Sequence, residues 1–479
     1  MRHKVREFAC TRKVVAICVV FAVASLAATV GLDNDKSVIE GHDIRRVVVI
    51  HLDTTRVDDL GCYGGIPHTP NIDAVAARGT RFTNSIAPTP RTSPSIASFM
   101  TGRLPNRHGV YDVGGKLSDG LATLAEILGD NGFITAGFTT NAVVDKLHTG
   151  SAESAGFDQG FDVFKGFSTT VSGPDEHELN AIPRVLCADP VNEAIDFIDA
   201  CGDEKFFLWM LHLDPHAPYA PPAPYDTMYL DHPKLTKDSV RLQPAVIHHQ
   251  AYTGSRLDSH EYIARHMGEV TLLDHWLGTL FSKLDELPGR TLLVITADHG
   301  ESFGDAGIWF SHGRNIRHPC VNVPLIITCD GVIPVAVSDA LAANIDLAPT
   351  ILDLLGVPAT ALDADGRTLV PAFTGGAPWP DRMILDPAEY RREVARRSQR
   401  SILPAIAVQP ADARAGQDGA LRPGRRPDRD DRRLGRFPNV LEAHRRYEDD
   451  WFSRGRAVGN DLRDNPEMLR RLESLGYLK

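Results

Sequence analysis

Short β-branched apolar runs alternate with longer helical patterns along most of the chain. The run Val47–Ile50 is typical of a strand that is buried on both faces. Further strands are expected at Phe133–Phe138, Phe206–Leu213, Thr291–Thr296 and Pro324–Thr328. Helical patterns cover Asn71–Arg78, Leu121–Leu128 and Glu261–Leu284. Strands that alternate with helices predict an α/β fold with a central, mostly parallel sheet and helices on both faces.

Polar residues follow the ends of the expected strands. These residues are Asp53, Asn141, Asp214 and Asp298. In sheets of this kind the site lies beyond the carboxyl ends of the strands. The pattern therefore predicts one polar site at that edge of the sheet.

The two ends of the chain differ from its centre. Residues 1–32 join a basic stretch to the apolar run Val14–Leu32, which is typical of a signal peptide or of an uncleaved signal anchor. Residues 33–43 then form a polar linker. We expect an exported protein in the periplasm or another extracytoplasmic compartment, with an N-terminal membrane anchor as the alternative to cleavage.

The catalytic domain is expected at residues 44–375 and a smaller C-terminal portion at residues 376–479. Within that portion, Arg391–Arg436 is dense in Arg, Pro, Asp and Gly and shows little periodicity. This composition predicts an irregular segment. A lost reading frame would give the same pattern.

Net charge and cysteine content narrow the class of protein. The formal net charge of -11 argues against a nucleic-acid binder, because such proteins need a basic surface. Five cysteines lie outside the leader at scattered spacings, so no disulfide scaffold is expected. A single bridge between Cys187 and Cys201 would be compatible with an oxidising compartment.

Four polar clusters carry residues suited to hydrolytic chemistry. Asp53, and the pair Asp298 and His299, supply oxygen and nitrogen ligands for a divalent metal. Thr92 lies in a Ser/Thr-rich stretch at an expected helix start, where the backbone favours an anion. His216 and His312 lie in loops and are candidates for proton transfer. Each cluster alone also fits a helix cap or a structural loop, but together they predict a metal-dependent hydrolase.

The order of several motifs resembles that of sulfatases and their relatives in the alkaline phosphatase superfamily. The matching segments are Val49–Gly64, His68–Asp73, Gly79–Phe82, Thr101–Arg103, His108–Gly109, Asp214–His216, Gly268–Val270, Asp298–Glu301 and the chain end Leu475–Leu478. The resemblance covers roughly residues 44–375 and implies an alkaline phosphatase-like fold.

The resemblance also implies site residues. It places Asp53, Thr92, Asp298 and His299 around one divalent ion, which would be Mn, Zn, Mg or Ca. It makes Thr92, His216 and His312 the catalytic residues, with Thr92 at the nucleophile position of the family's Cys/Ser-x-Pro-x-Arg motif. Asn141 and Arg314 become candidates for substrate binding.

The chain departs from the sulfatase pattern at important positions. Threonine cannot be converted to the formylglycine of sulfatases, and Ile96 replaces the arginine of the motif. The expected activity is hydrolysis of sulfate esters, or of related phosphate or phosphonate esters, through a covalent intermediate. The partner is an anionic small-molecule, glycan or lipid ester. A phospho-group transferase of the cell envelope, or an inactive relative that binds an anionic glycan or lipid, is the alternative.

Overall fold

The structure is a computed structural model that describes residues 43–145, 155–167, 186–248, 251, 256–313 and 316–373. The apolar leader, residues 33–42 of the linker, Arg314 and the C-terminal portion, including its arginine-rich stretch, lie outside these residues. Within the described residues, none of the helices is both long and apolar enough to cross a membrane. Export, the anchor and the domain limits therefore stay predictions.

The strands form one large sheet and two small ones. In chain order they are β1 (Ile44–Leu52), β2 (Thr80–Phe82), β3 (Ser85–Ile86), β4 (Ile134–Thr139), β5 (Val163–Gly166), β6 (Phe206–His212), β7 (Arg290–Thr296), β8 (Ser302–Phe303), β9 (Trp309–Ser311), β10 (Leu325–Thr328), β11 (Ala336–Ser338) and β12 (Ala342–Ala343). The large sheet has eight strands in the order β11-β2-β10-β7-β1-β6-β4-β5. Strands β1, β4, β5, β6 and β7 run parallel, whereas β10 runs antiparallel to β7 and β2.

Helices cover both faces of the large sheet, as the sequence predicts. They are α1 (Pro70–Ala76), α2 (Thr92–Thr101), α3 (Pro105–His108), α4 (Leu124–Asp130), α5 (Ala188–Cys201), α6 (Pro233–Lys237), α7 (Ser259–Asp285), α8 (His318–Val321), α9 (Leu347–Leu354) and α10 (Val370–Phe373). Helices α2, α4 and α9 pack on one face around Phe99. Helices α1, α5 and α7 pack on the other face around Leu277. The sheet is therefore packed between two apolar layers.

Observed element limits differ from the expected ones by a few residues for local reasons. Helix α4 begins at Leu124 rather than Leu121, because Thr123 accepts a hydrogen bond from the backbone N–H of Glu126 while the Glu126 carboxylate accepts from Thr123. This capping box fixes the helix start. Helix α7 spans 27 residues and is slightly longer than its apolar pattern.

The possible bridge between Cys187 and Cys201 does not form. Both thiols are free and buried. Cys187 precedes α5 and Cys201 ends it, so a 14-residue helix separates them. At a rise of about 1.5 Å per residue that helix is roughly 20 Å long, far beyond the reach of a disulfide.

Candidate active site

Two parallel strands bring the metal-ligand candidates together. Strand β1 pairs with β7 so that His51 lies opposite Thr296. Asp53 and Asp298 each lie two residues beyond this pair, just after β1 and β7 end. His299 follows directly, and its Nε2 lies 3.4 Å from Asp298 Oδ2 and 3.9 Å from Asp53 Oδ1. One ligand atom from each of Asp53, Asp298 and His299 falls within 4.8 Å of the others.

The electrostatics of this cluster suit a cation. Burial, together with the neighbouring Asp298 carboxylate, raises the pKa of Asp53 well above its ordinary value. Burial also raises the pKa of Asp298. Asp53 Oδ1 and Asp298 Oδ2 are buried and accept no hydrogen bond. Two fully buried carboxylates with open oxygens are costly unless a cation lies between them.

The ligand set fits a divalent metal. The Nδ1 of His299 lies 3.1 Å from the carbonyl oxygen of Gly300, which can only accept, so Nδ1 carries the proton and Nε2 keeps its lone pair. Two carboxylate oxygens and one imidazole nitrogen form a mixed set that suits Zn or Mn. We infer that Asp53, Asp298 and His299 would hold the ion.

Thr92 begins helix α2 directly beside this cluster. Its Oγ1 lies 3.2 Å from His299 Nε2, and its side chain is fully buried. The preceding Arg91 is extended, so the chain turns into the helix at Thr92 and the first backbone N–H groups of the helix have no partner within it. Ser95, one turn later, donates to the Asp298 carbonyl at 2.6 Å and fixes the helix to the end of β7.

Ser93 is directed away from the metal-ligand cluster. Its hydroxyl donates to the carbonyl oxygen of Val143 and accepts from the N–H of Gly114, each at 3.3 Å. Because both contacts hold it on another side of the helix, the geometry favours Thr92 as the nucleophile candidate. Ile96, in the place of the motif arginine, is fully buried in the core beneath the helix.

His216 and His312 lie together next to His299. The ring of His312 stacks on His299 with centroids 4.3 Å apart, and the ring of His216 meets His312 edge-on at 5.1 Å. Burial lowers the pKa of both imidazoles well below the usual value. Neighbouring histidines lower both pKa values further, His312 and His299 acting on His216, and His299 acting on His312. Both residues therefore belong to one group of rings with His299, whose Nε2 contacts Thr92 Oγ1.

Asn141 contacts a metal-ligand candidate. Its Nδ2 donates to Asp53 Oδ2 at 2.6 Å, while its Oδ1 accepts from the backbone N–H of Val143 at 3.0 Å. The Asn141 side chain thus fixes the orientation of the Asp53 carboxylate. Substrate binding by Asn141, and by Arg314 outside the described residues, stays a prediction.

Two residues of the site received no role from the sequence. Thr54 has a φ of 51°, in the left-handed region that β-branched residues rarely adopt, and its buried Oγ1 makes no hydrogen bond. Its backbone N–H faces the Asp53 and Asp298 carboxylates and offsets part of the rise in their pKa values. Glu301 is fully buried behind His312. Both residues lie in segments that match the sulfatase pattern, Val49–Gly64 and Asp298–Glu301, although nothing in the sequence signals the left-handed backbone at Thr54.

Known proteins are similar to this chain in fold and in sequence. A phosphonate monoester hydrolase from Silicibacter pomeroyi superposes with a TM-score of 0.57 at 23% identity, over 70% of this chain and 78% of that one. Human arylsulfatase A is 26% identical over 73% of this chain and 71% of its own length. The choline-sulfatase of Rhizobium meliloti is 27% identical over 64% of this chain and 67% of its own length.

A family model named Sulfatase matches residues 45–357, a span that contains every described residue of the candidate site. This match covers more than half of the chain. The structural neighbours have the same alkaline phosphatase-like arrangement of a central sheet between helices. The chain therefore belongs to the sulfatase family of ester hydrolases, within the alkaline phosphatase superfamily.

Proposed function

We propose that this protein hydrolyses sulfate or phosphonate esters with Thr92 as the nucleophile and with a divalent metal held by Asp53, Asp298 and His299. One observation carries the proposal: the Thr92 hydroxyl lies 3.2 Å from His299 Nε2, at the start of a helix. A nucleophile there is next to a metal ligand and under the positive end of the helix dipole. The names of the relatives, which include sulfatases and a phosphonate monoester hydrolase, support the two substrate classes.

The metal, when bound, would lower the pKa of a coordinated hydroxyl and balance the charge of the ester oxygens. The protein's own residues provide the geometry. The start of α2 at Thr92 would offer its first backbone N–H groups to a non-bridging ester oxygen. Thr92 is held in a single orientation because its side chain is fully enclosed.

The reaction takes place in two displacements. Thr92 Oγ1 gives its proton to His216 or His312 and forms a bond to the sulfur or phosphorus centre, and the bond from that centre to the alkoxy or aryloxy oxygen breaks. His216 or His312 gives a proton to the departing oxygen, which leaves as an alcohol or phenol. Water then attacks the same centre, the bond to Thr92 Oγ1 breaks, and sulfate or the free phosphonate is released.

The residue at position 92 favours phosphorus over sulfur. Sulfatases that use formylglycine need a cysteine or serine precursor, and threonine gives no aldehyde. Ile96 adds to this contrast, because it places an apolar side chain in the core where the sulfatase motif has an arginine. An acceptor alcohol in place of water would turn the same chemistry into group transfer.

A panel of esters tests the proposal. Purified protein is given aryl sulfate, aryl phosphate and aryl phosphonate esters, after chelation and again with added Mn, Zn, Mg or Ca. We expect turnover only with added metal, fastest with Mn or Zn and with a phosphorus ester. A protein that binds a stoichiometric metal yet turns over no ester would contradict hydrolysis. A protein that neither binds a stoichiometric metal nor turns over any ester would indicate an inactive anion-binding relative.

A further inference from the structure

Glu301 is a buried acid whose carboxylate contacts several donors at once. It lies three residues after Asp298, before strand β8, and its side chain is fully buried. Its Oε1 accepts the backbone N–H of Ser302 at 2.8 Å. Its Oε2 accepts the Tyr219 hydroxyl at 3.3 Å and lies 3.1 Å from His312 Nδ1. The carboxylate therefore acts as an acceptor on both oxygens and is held in one orientation.

These contacts determine the state of the His312 ring. Because the Glu301 oxygen is already an acceptor, His312 Nδ1 must donate to it, which places a proton on Nδ1. The ring's Nε2 then lies on the side away from Glu301, and the His312 side chain as a whole is 10% exposed. The stacked His299 ring and the edge of His216 prevent the imidazole from turning.

His216 is held in a different way. Its Nδ1 lies 2.5 Å from the carbonyl oxygen of Ala217, so its orientation depends on the backbone. His312 depends on a side chain that can be replaced. Substitution of Glu301 therefore removes a side-chain contact of His312 and leaves the backbone contact of His216 in place.

We propose that Glu301 is a positioning residue that fixes His312 as the Nδ1–H form and presents its Nε2 to the leaving oxygen of the bound ester. The inference rests on the proposed function, since it names which histidine handles the leaving group. In the Nδ1–H form Nε2 carries a lone pair, so it takes the proton that Thr92 Oγ1 loses and then gives that proton to the departing oxygen, while the Nδ1 proton stays towards Glu301. In the second displacement Nε2 takes a proton from the attacking water and returns it to Thr92 Oγ1, so both residues regain their starting states.

A double-mutant cycle tests this assignment on the metal-loaded enzyme. Glu301→Gln keeps the shape of the side chain, but an amide cannot accept from both Ser302 and His312. We expect kcat to fall between about 10- and 100-fold with little change in KM, as for other residues that orient a functional histidine. The loss should be larger for esters of less acidic alcohols. In a His312→Ala background, Glu301→Gln should change kcat less than about twofold.

Asp274→Asn provides the matched structural control. Asp274 is also a buried acid of the fold, and it accepts the backbone N–H of Ile72 at 2.8 Å and of Asn71 at 3.2 Å, away from the site. This variant should lower the Tm while leaving kcat and its dependence on the leaving group as in the wild type. Equal losses from Glu301→Gln in the wild-type and His312→Ala backgrounds would overturn the inference, because they would show a role independent of His312.

A second measurement needs no turnover. In protein labelled with 15N-histidine, the ring signals lost in His312→Ala identify His312, and their shifts report which nitrogen carries the proton. We expect the Nδ1–H form in the wild type and a changed form in Glu301→Gln. An Nε2–H form in the wild type would overturn the inference. If the wild type turns over no ester, the proposed function fails, whereas activity that is unchanged in Glu301→Gln removes only the role of Glu301.

Discussion

Asn141→Ala tests how much the hydrogen bond from Asn141 to Asp53 contributes to metal binding. The substitution removes the Nδ2 group that donates to Asp53 Oδ2 at 2.6 Å in a fully buried site. A hydrogen bond to a charged group contributes about 1.5–3 kcal/mol. At about 1.4 kcal/mol per factor of ten, metal affinity should fall between roughly 10- and 100-fold, which is also the usual effect of a residue that orients a ligand.

The same substitution removes a second contact, so two effects must be separated. Asn141 Oδ1 caps the turn Ala142–Val144 by accepting from Val143, and loss of such a cap costs about 1 kcal/mol of stability. Metal affinity is measured by competition with a chelator at a temperature well below unfolding. Stability is measured separately by denaturant unfolding of the metal-free protein.

Asn71→Ala is the matched control for this prediction. Asn71 Nδ2 donates to Asp274 Oδ2 at 2.9 Å, an amide-to-carboxylate bond of the same kind between α1 and α7. Its loss should lower stability and leave metal affinity unchanged. Metal affinity within twofold of the wild type in Asn141→Ala would refute the reasoning that Asn141 holds Asp53 in its ligand geometry.

Further predictions concern the ligands, the core and pH. Asp298→Asn keeps the shape but removes a ligand charge, so metal affinity measured by chelator competition should fall more than about 100-fold, beyond the effect of an orienting residue; tight binding would contradict the ligand assignment. Ile96→Arg places a charge in the core, so denaturant unfolding should show a loss of more than about 3 kcal/mol and no gain of sulfatase activity; a stable variant would show that position 96 faces the site. Burial lowers the pKa of His51, His108 and His212 to about 3. Below about pH 6.5 these histidines are protonated in the unfolded chain but stay neutral in the folded one. The free energy of unfolding is therefore highest above that pH and decreases as pH falls towards 3, by about 2 kcal/mol per histidine at pH 5. Burial raises the pKa of the site carboxylates and acts in the opposite direction, so the comparison of pH 7 with pH 5 uses metal-saturated protein; equal stability at both values would contradict the burial of neutral histidines.

The sequence predicted the central sheet and the position of the site for a clear physical reason. Strands buried on both faces are continuous apolar runs, and polar residues that follow them must lie at one edge when the strands are parallel. Asp53, Asn141, Asp214 and Asp298 indeed follow β1, β4, β6 and β7. Strand β2 has only three residues, and the edge strands β5 and β11 are short and partly exposed, so none of them shows the apolar run that the pattern detects.

Contacts between distant side chains could not be predicted from the sequence. The bond from Asn141 to Asp53 joins residues 88 positions apart, and it depends on the order of strands rather than on any local pattern. The contact of Glu301 with Tyr219 depends in the same way on how a loop folds over the site. The left-handed backbone at Thr54 is equally invisible, since threonine gives no local signal for it.

The central claim is that the Thr92 hydroxyl is the nucleophile, and the most direct measurement is the turnover of metal-loaded Thr92→Val. Valine keeps the volume and branching of threonine in this fully buried position and removes only the hydroxyl. The account predicts that kcat/KM for the preferred aryl ester falls by about 1,000-fold or more, with the metal still bound, because the covalent step has no oxygen to form it. Turnover close to that of the wild type would contradict the account and would show that the ester is attacked by another group.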